Sequence, residues 1–379
     1  MDFEYSDEQR LLGESVARFV AGRYDFESRL RIMRAPGGWS REAWRELAEL
    51  GLLALPFAEE DGGFGGGGVE TMVVMEALGR GLVLEPYLAT VVLAGGVLRR
   101  AASPAQRGAR IPALVAGDHL MALAHQEPEA PRHTLSVSAR ANRSGDGWTL
   151  SGSKRAVLHG ADADEYVISA MSAAGLSLFL VPADAAGVSR RARISYDGLP
   201  LADLRLEQVR LPADALIGME GLGADILTAV FEEANAALAA EAVGIMADTL
   251  DLTTDYLKTR SQFGVPIGSF QALQHRAVDM LIQLELARSM AILAAVSLDQ
   301  PAETRRRNIA AAKVQIGRAG RYIGQQAVQL HGAIGITAEY KVGHAFKRLT
   351  AIDALFGDAN HHLDMLAEAG GLVAPPNSP

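Results

Sequence analysis

Between positions 256 and 271 the chain reads Tyr256-Leu-Lys-Thr-Arg260-Ser-Gln262-Phe263-Gly264-Val-Pro266-Ile-Gly268-Ser-Phe270-Gln271. Helix-forming residues run into this stretch and out of it, so it marks the end of one helix and the start of the next. An arginine stands beside an aromatic, glycine and proline turn the chain, and Gln271 follows at what is expected to be a buried end. Such a corner can grip a pyrophosphate and cover an aromatic ring system, because a guanidinium offers a planar fork of donors to phosphate oxygens. A plain helix–loop–helix corner accounts for Gly264, Pro266 and Phe270 equally well.

A second stretch follows about 60 residues later: Gln325-Gln326-Ala-Val-Gln329-Leu-His331-Gly332-Ala333-Ile-Gly335-Ile-Thr337-Ala-Glu339-Tyr340. It closes a long helical pattern with a glycine-spaced loop. Glycines there permit positive φ and bring backbone N–H groups close to a ligand; they also serve as an ordinary helix C-cap.

The surrounding sequence divides by texture. A chain of 379 residues exceeds the roughly 250–300 residues at which a single core stops growing, so two or three structural units are expected. Residues 1–120 read as an all-helical domain: Ser6 and Gln9 form a capping-box pattern, a second helix holds Trp44, Leu47 and Leu50, and a third covers Val69 to Leu82. Residues 121–217 turn to short β-rich runs such as Tyr166-Val167-Ile168 and Leu178-Phe179-Leu180-Val181, with turn signals at Gly145-Asp146-Gly147 and Asp197-Gly198. They predict an antiparallel barrel or sandwich. Long helices return over 218–370, where Ala277, Leu281, Leu284, Ala287 and Ala291 mark one face and the span 303–330 ends at Gly332. The tail 371–379, rich in proline, reads as disordered.

Composition narrows the function. Nearly half the residues are apolar and the net charge is −9, which leaves no nucleic-acid-like basic excess. The chain contains no cysteine, so disulfides, thiolate metal sites and thiol nucleophiles are excluded together. No stretch approaches about 18 apolar residues without a charge, and the acidic start MDFEYSDEQR has no apolar signal core, so a cytoplasmic protein with no membrane partner is expected. Gly63 to Gly68 satisfy the spacing G-x-G-x-x-G, but Pro56 and Glu59-Glu60-Asp61 precede them where a buried strand is required. A glycine loop, rather than a dinucleotide fingerprint, is the reading. His361 and His362, adjacent on a helix, diverge by about 100° and make a poor metal pair.

Together RSQFGVPIGSFQ and QLHGAIGITAEY resemble the two C-terminal signatures of the acyl-CoA dehydrogenases, and the N-terminal run LGLLALPFAEEDGGFGG is also similar to that family. The order all-α, all-β, all-α matches the family's fold, α+β in class with a C-terminal four-helix bundle, over essentially the whole chain. The likeness is nearest to the small, non-catalytic subunit of pimeloyl-CoA dehydrogenase type, with related subunits in bacterial steroid-ring degradation. The resemblance implies an FAD flavoprotein acting on an acyl-CoA: a glutamate removes the α proton while the β hydrogen leaves as hydride. By position it assigns Arg260, Phe263, Gln271, Gln329, Gly332 and Ala333 to the edge that reaches across a subunit interface to a neighbour's FAD.

Departures from the family lie elsewhere. Its T-E-P-x-A-G-S-D loop reads Gln126-Glu127-Pro128-Glu129-Ala130-Pro131 here, and its W-x-T element reads Ala156-Val157-Leu158. Neither an aromatic stack nor a hydroxyl is offered to the flavin ring. The usual base position is Gly357, and the position used by relatives with an earlier base is Ala234, flanked by Glu233 and Asn235. Asp358 and Glu241 remain as fallback bases. The chain therefore keeps what it would lend to a neighbour and lacks what it would use itself, which implies a two-plus-two heterotetramer with a catalytic acyl-CoA dehydrogenase subunit. A self-sufficient homo-oligomer with a displaced base and a flavin-free scaffold are the competing readings.

Overall fold

Capping chemistry starts the first helix where the sequence places it. The Ser6 hydroxyl accepts from the Gln9 N–H at 3.2 Å while Gln9 Oε1 accepts from the Ser6 N–H at 3.0 Å, satisfying two otherwise orphaned donors at the head of α1 (Asp7–Arg23). The computed structural model describes residues 5–129 and 135–370; Ala130, Pro131 and the tail expected to be disordered lie outside them. Helices α2 (Phe26–Arg34), α3 (Arg41–Glu49), α4 (Gly68–Gly81), α5 (Gly95–Ala101) and α6 (Pro104–Val115) complete the N-terminal part, with a π-helical turn at Tyr87–Ala94. Strands β1 (Met121–Ala124), β2 (Arg140–Ser144), β3 (Gly147–Leu158), β4 (Glu165–Ser172), β5 (Gly175–Pro182), β6 (Val188–Ile194), β7 (Pro200–Leu211) and β8 (Leu216–Ile217) follow. The C-terminal part holds α7 (Gly223–Thr259), the short strands β9 (Ser261–Gln262) and β10 (Val265–Pro266), then α8 (Gln271–Ser297), α9 (Ala302–His331), α10 (Lys341–Ala354) and α11 (Ala359–Glu368).

Contacts group these elements into two units that cut across sequence order: residues up to Leu30, Gly68–Val83 and Asn235 onward form one, and Arg31–Gly67 with Leu84–Ala234 form the other.

In the second of these units a sheet runs in the order β6-β7-β3-β2-β4-β5-β8, with β1 beside β4. A wholly antiparallel barrel or sandwich is expected from sequence; the observed sheet is mixed and its path is open. Strands β1 and β2 both run parallel to β4, β1 along Glu165–Ile168 and β2 at Met171. They lie end to end on one side of β4, so the segment holding Gln126-Glu127-Pro128 interrupts a single strand line. The core beneath is apolar and tight, with Trp148 edge-on to Phe179 at 5.0 Å and Tyr166 donating to the Gly160 carbonyl at 2.6 Å. The glycine run is a tight loop: a Cβ on Gly63 would stand 2.1 Å from the Phe57 carbonyl oxygen.

The other unit is helical and depends on close backbone approach. A Cβ on Gly79 of α4 would meet the Glu241 carbonyl of α7 at 2.2 Å, and one on Gly244 of α7 would meet the Glu76 carbonyl of α4 at 1.9 Å. The two helices cross glycine to carbonyl in both directions, a contact that no larger residue permits. On α8 the buried stripe is Met280, Leu284, Ala287, Ala291 and Ala294. Leu281, expected in that stripe, is exposed with Val278, Ile282 and Leu286, because it lies about 100° round the helix from Met280. This helix alone among the described residues is long and apolar enough to cross a membrane by length and composition.

Candidate functional site

Helix α7 ends at Thr259, and the Arg260 carbonyl then accepts from the Ile267 N–H at 2.8 Å, closing a β9–β10 hairpin. Its two-residue turn puts Phe263 at φ 54° and Gly264 at φ 81°, the paired positive-φ geometry that matches the twist of a hairpin. Glycine adopts this freely; a phenylalanine there is strained, by about 1–3 kcal/mol. The strained side chain is 91% exposed, its ring edge-on to Phe270 at 6.1 Å. The hairpin thus spends stability on holding an aromatic in the open.

Gln271 opens α8 and is exposed, not buried as the sequence suggests. Gln329 and Ala333 are exposed at the end of α9, and Gly332 turns the chain with φ 64°, ψ −140° and open space where a Cβ would be. Among the described residues the side chains of Arg260, Gln271 and Gln329 have no hydrogen-bonding or ionic partner.

Two contacts tie these stretches together. Tyr256, one turn before Arg260, stacks on His331 with centroids 4.5 Å apart, and Arg276 of α8 donates to Gln326 Oε1 of α9 at 3.2 Å. The donor-rich ends of α7 and α9 are therefore held side by side. His331 itself, unassigned from sequence, is buried; its Nδ1 donates to the Ala327 carbonyl at 2.8 Å, and Tyr340 packs on it at 5.0 Å. Burial pulls its imidazole below the ordinary value, against the attraction of the Ala327 and Leu252 carbonyls.

The segments that would cradle a flavin ring are built differently. Glu127 accepts from Lys154 Nζ at 2.7 Å and from the N–H groups of Ser138 and Ala139 at 2.5 and 3.0 Å. Burial works against its charge, but the ammonium and the two N–H donors outweigh it and hold the carboxyl below its usual range. Burial brings Lys154 down to about 8, with Glu127 opposing. Lys154 also donates to Ser169 Oγ and the His125 carbonyl. The pair pins the strand interruption and engages both Glu127 oxygens within this chain. Register slips between Lys154 and Val157, and Ala156 sits in the slip at φ 53°, exposed, its N–H donated to Asp203 Oδ1 at 3.1 Å. With Val157 buried and Leu158 half-buried, this element presents a methyl where a ring is needed and no hydroxyl.

Each carboxylate considered as a base is already engaged. Glu241 makes a two-pronged pair with Arg348, at 2.6 and 2.9 Å, both side chains buried. Asp358 caps α11, accepting from the His361 N–H at 2.8 Å. Glu233 is held by Arg99 at 3.0 Å and by Arg100. Ala234 is fully buried. Asn235 instead reaches the carbonyl of Phe356, at 3.4 Å, which also accepts from His362 Nε2 at 3.1 Å. Gly357 follows at φ 105°, and a Cβ there would lie 2.6 Å from His362 Nε2. Buried Lys313 completes this corner, donating to the carbonyls of Ile352 and Leu355 at 2.9 Å each.

The residues present thus fit FAD in one place and not the other. The Arg260–Gln329 edge offers donors unpartnered among the described residues and an open glycine turn, which suit an anionic dinucleotide; the Ala156-Val157-Leu158 element offers no ring or hydroxyl to an isoalloxazine.

The comparisons with known proteins agree with the fold. Family models for the acyl-CoA dehydrogenase N-terminal, middle and C-terminal domains match residues 6–118, 122–209 and 221–371. Glutaryl-CoA dehydrogenase of Desulfococcus multivorans is 30% identical, the match covering 95% of each chain. Among solved structures, the ChsE4-ChsE5 complex from Mycobacterium tuberculosis is similar with a TM-score of 0.90 at 26% identity, covering 99% of this chain and 100% of that one. An FAD complex of PigA is similar with a TM-score of 0.91 at 28% identity, over 98% and 100%. FAD, bound in the PigA complex, is the cofactor of this family. On all three domains and nearly its full length, this chain belongs to the acyl-CoA dehydrogenase family.

Proposed function

We propose that this chain is the supporting subunit of a heteromeric, FAD-dependent acyl-CoA dehydrogenase, two copies assembling in the cytoplasm with two copies of a catalytic relative. The observation that carries this reading is an asymmetry within one chain. Arg260, Gln271 and Gln329 stand exposed without side-chain partners among the described residues, which costs nothing in solvent and gains charge-assisted bonds once a pyrophosphate arrives. Meanwhile Ala156 and Leu158 replace the ring-holding groups, and Gly357 replaces the base in a corner filled by His362.

The apolar surface fits the same reading. Phe263, Phe270, Val278, Leu281, Ile282 and Leu286 are all exposed on one hairpin and the helix after it, and exposed apolar stripes of this kind mark protein contacts. The ChsE4-ChsE5 structure, itself a complex of two differently named chains, is a precedent for such an assembly. In the proposed complex the chain's role is to bind and orient: Arg260 neutralises phosphate charge, and the Gly332-Ala333 backbone lies close to the dinucleotide. Bound FAD supplies the hydride-accepting chemistry on the partner, where the acyl-CoA is oxidised between its α and β carbons. The test is to purify the chain alone and with a candidate catalytic subunit, and to measure flavin per chain in each.

A further inference from the structure

The lending edge is made of two pieces from different helices, so its grip depends on what holds them at a fixed distance. Beside the Arg276–Gln326 hydrogen bond, the direct link between these two pieces is aromatic. His331 is clamped between Tyr256, stacked at 28° and 4.5 Å, and Tyr340, tilted at 50° and 5.0 Å. Arg260 lies one helical turn beyond Tyr256, with its N–H bonded to the Tyr256 carbonyl at 2.8 Å. Gly332 follows His331 directly, and its N–H closes on the carbonyls of Val328 and Gln329.

We propose that His331 is a positioning residue: its imidazole, held between Tyr256 and Tyr340, fixes the Arg260 guanidinium relative to the Gly332-Ala333 backbone and so sets how tightly this edge grips the diphosphate of the partner's FAD. The proposal rests on the supporting-subunit reading given above.

Two features suit imidazole to the task. A flat ring can stack on Tyr256 and pack tilted against Tyr340, which a branched aliphatic side chain cannot. Nδ1–H reaches the Ala327 carbonyl and ties the ring into the last turn of α9. Burial also favours the neutral imidazole, and it raises the Tyr340 phenol together with the charges of Tyr256 and Asp255. The clamp therefore carries no charge that would compete with Arg260 for the ligand.

A merely structural histidine predicts a different pattern of losses from a positioning one, and a double-mutant cycle on FAD binding separates them. In the co-assembled complex, stripped of flavin and titrated with FAD, His331→Leu is expected to raise the dissociation constant about tenfold and His331→Phe, which keeps the stack, by less than about threefold. In an Arg260→Ala background the His331→Leu effect should shrink to less than about threefold, since the guanidinium it positions is gone. Equal effects in both backgrounds, or unchanged affinity in His331→Leu while Arg260→Ala weakens binding, would overturn the proposal and leave the supporting-subunit reading standing. If Arg260→Ala itself leaves FAD affinity unchanged, the supporting-subunit reading falls and the proposal with it. Should His331→Leu fail to fold, Tyr256→Leu attacks the clamp from its other side and must show the same loss of effect in the Arg260→Ala background; effects that multiply there overturn the proposal.

Discussion

The point where a Cβ of Gly357 would stand lies 2.6 Å from Nε2 of His362. The corner proposed above as the position of the missing base is therefore packed shut by this chain's own imidazole, and its backbone, at φ 105°, is in a region that L side chains rarely adopt. Gly357→Glu is expected to yield no acyl-CoA oxidation and to lower stability by about 1–3 kcal/mol, from backbone strain and overpacking together. Thermal melts and turnover assays of the variant check both halves. A stable Gly357→Glu protein with measurable turnover would show that the corner can open and that a flavin is within its reach.

Arg260→Ala is expected to raise the FAD dissociation constant of the co-assembled complex by about ten- to a hundredfold, the equivalent of one charge-assisted hydrogen bond of roughly 1.5–3 kcal/mol. The isolated chain should melt at the same temperature with or without the substitution, because the exposed guanidinium has no partner among the described residues. FAD titration alongside a melt separates this from an internal ion pair, which would lower the melting temperature and spare the flavin.

Glu241→Ala should destabilise the isolated chain by about 3–5 kcal/mol, since it strands the buried Arg348 guanidinium without its two-pronged partner. Denaturant unfolding measures this. A variant that keeps full stability but loses turnover in the assembled complex would return Glu241 to the role of base.

Lys313 gives a pH signature with a defined sign. Burial lowers its ammonium from 10.5 to about 8, with Asp353 and Asp358 opposing. Between those two values the unfolded chain holds a proton that the folded chain has released, so this group makes stability rise with pH, by up to about 1.4 kcal/mol per pH unit. The gain is complete above 10.5 and is lost as pH falls through about 8. Comparing unfolding midpoints of wild type and Lys313→Met at pH 8, 9 and 10 isolates the slope; parallel profiles would mean that Lys313 does not release its proton in this window.

Much of the fold is legible in the residues because local chemistry dictates it. The Ser6–Gln9 capping box, the glycine loop before α4 and the end of α9 at Gly332 all stand where their sequence signals place them. What escaped depends on partners distant in sequence. Period alone could not choose between Leu281 and its neighbour Met280 as the buried residue, and β propensity could not show that β1 and β2 share one side of β4 around the Glu127–Lys154 pair. The same holds for part of the site. The spacing of Arg260, Phe263 and Gln329 is written in the chain, whereas the Tyr256–His331 stack appears only when helices meet; the filling of the Gly357 corner by His362 is local, but it depends on the φ of 105° at Gly357, which spacing does not give. The signal available for the stack was two aromatic positions, each within one turn of a motif residue.

The central claim, that this chain lends a cofactor grip and holds no flavin of its own, is tested most directly by the ratio of flavin to chain. The isolated chain should purify with FAD far below one per chain, and the complex co-assembled with a catalytic subunit should carry one FAD for every pair of unlike chains. An isolated protein that is yellow, holds one FAD per chain and oxidises an acyl-CoA would contradict the account.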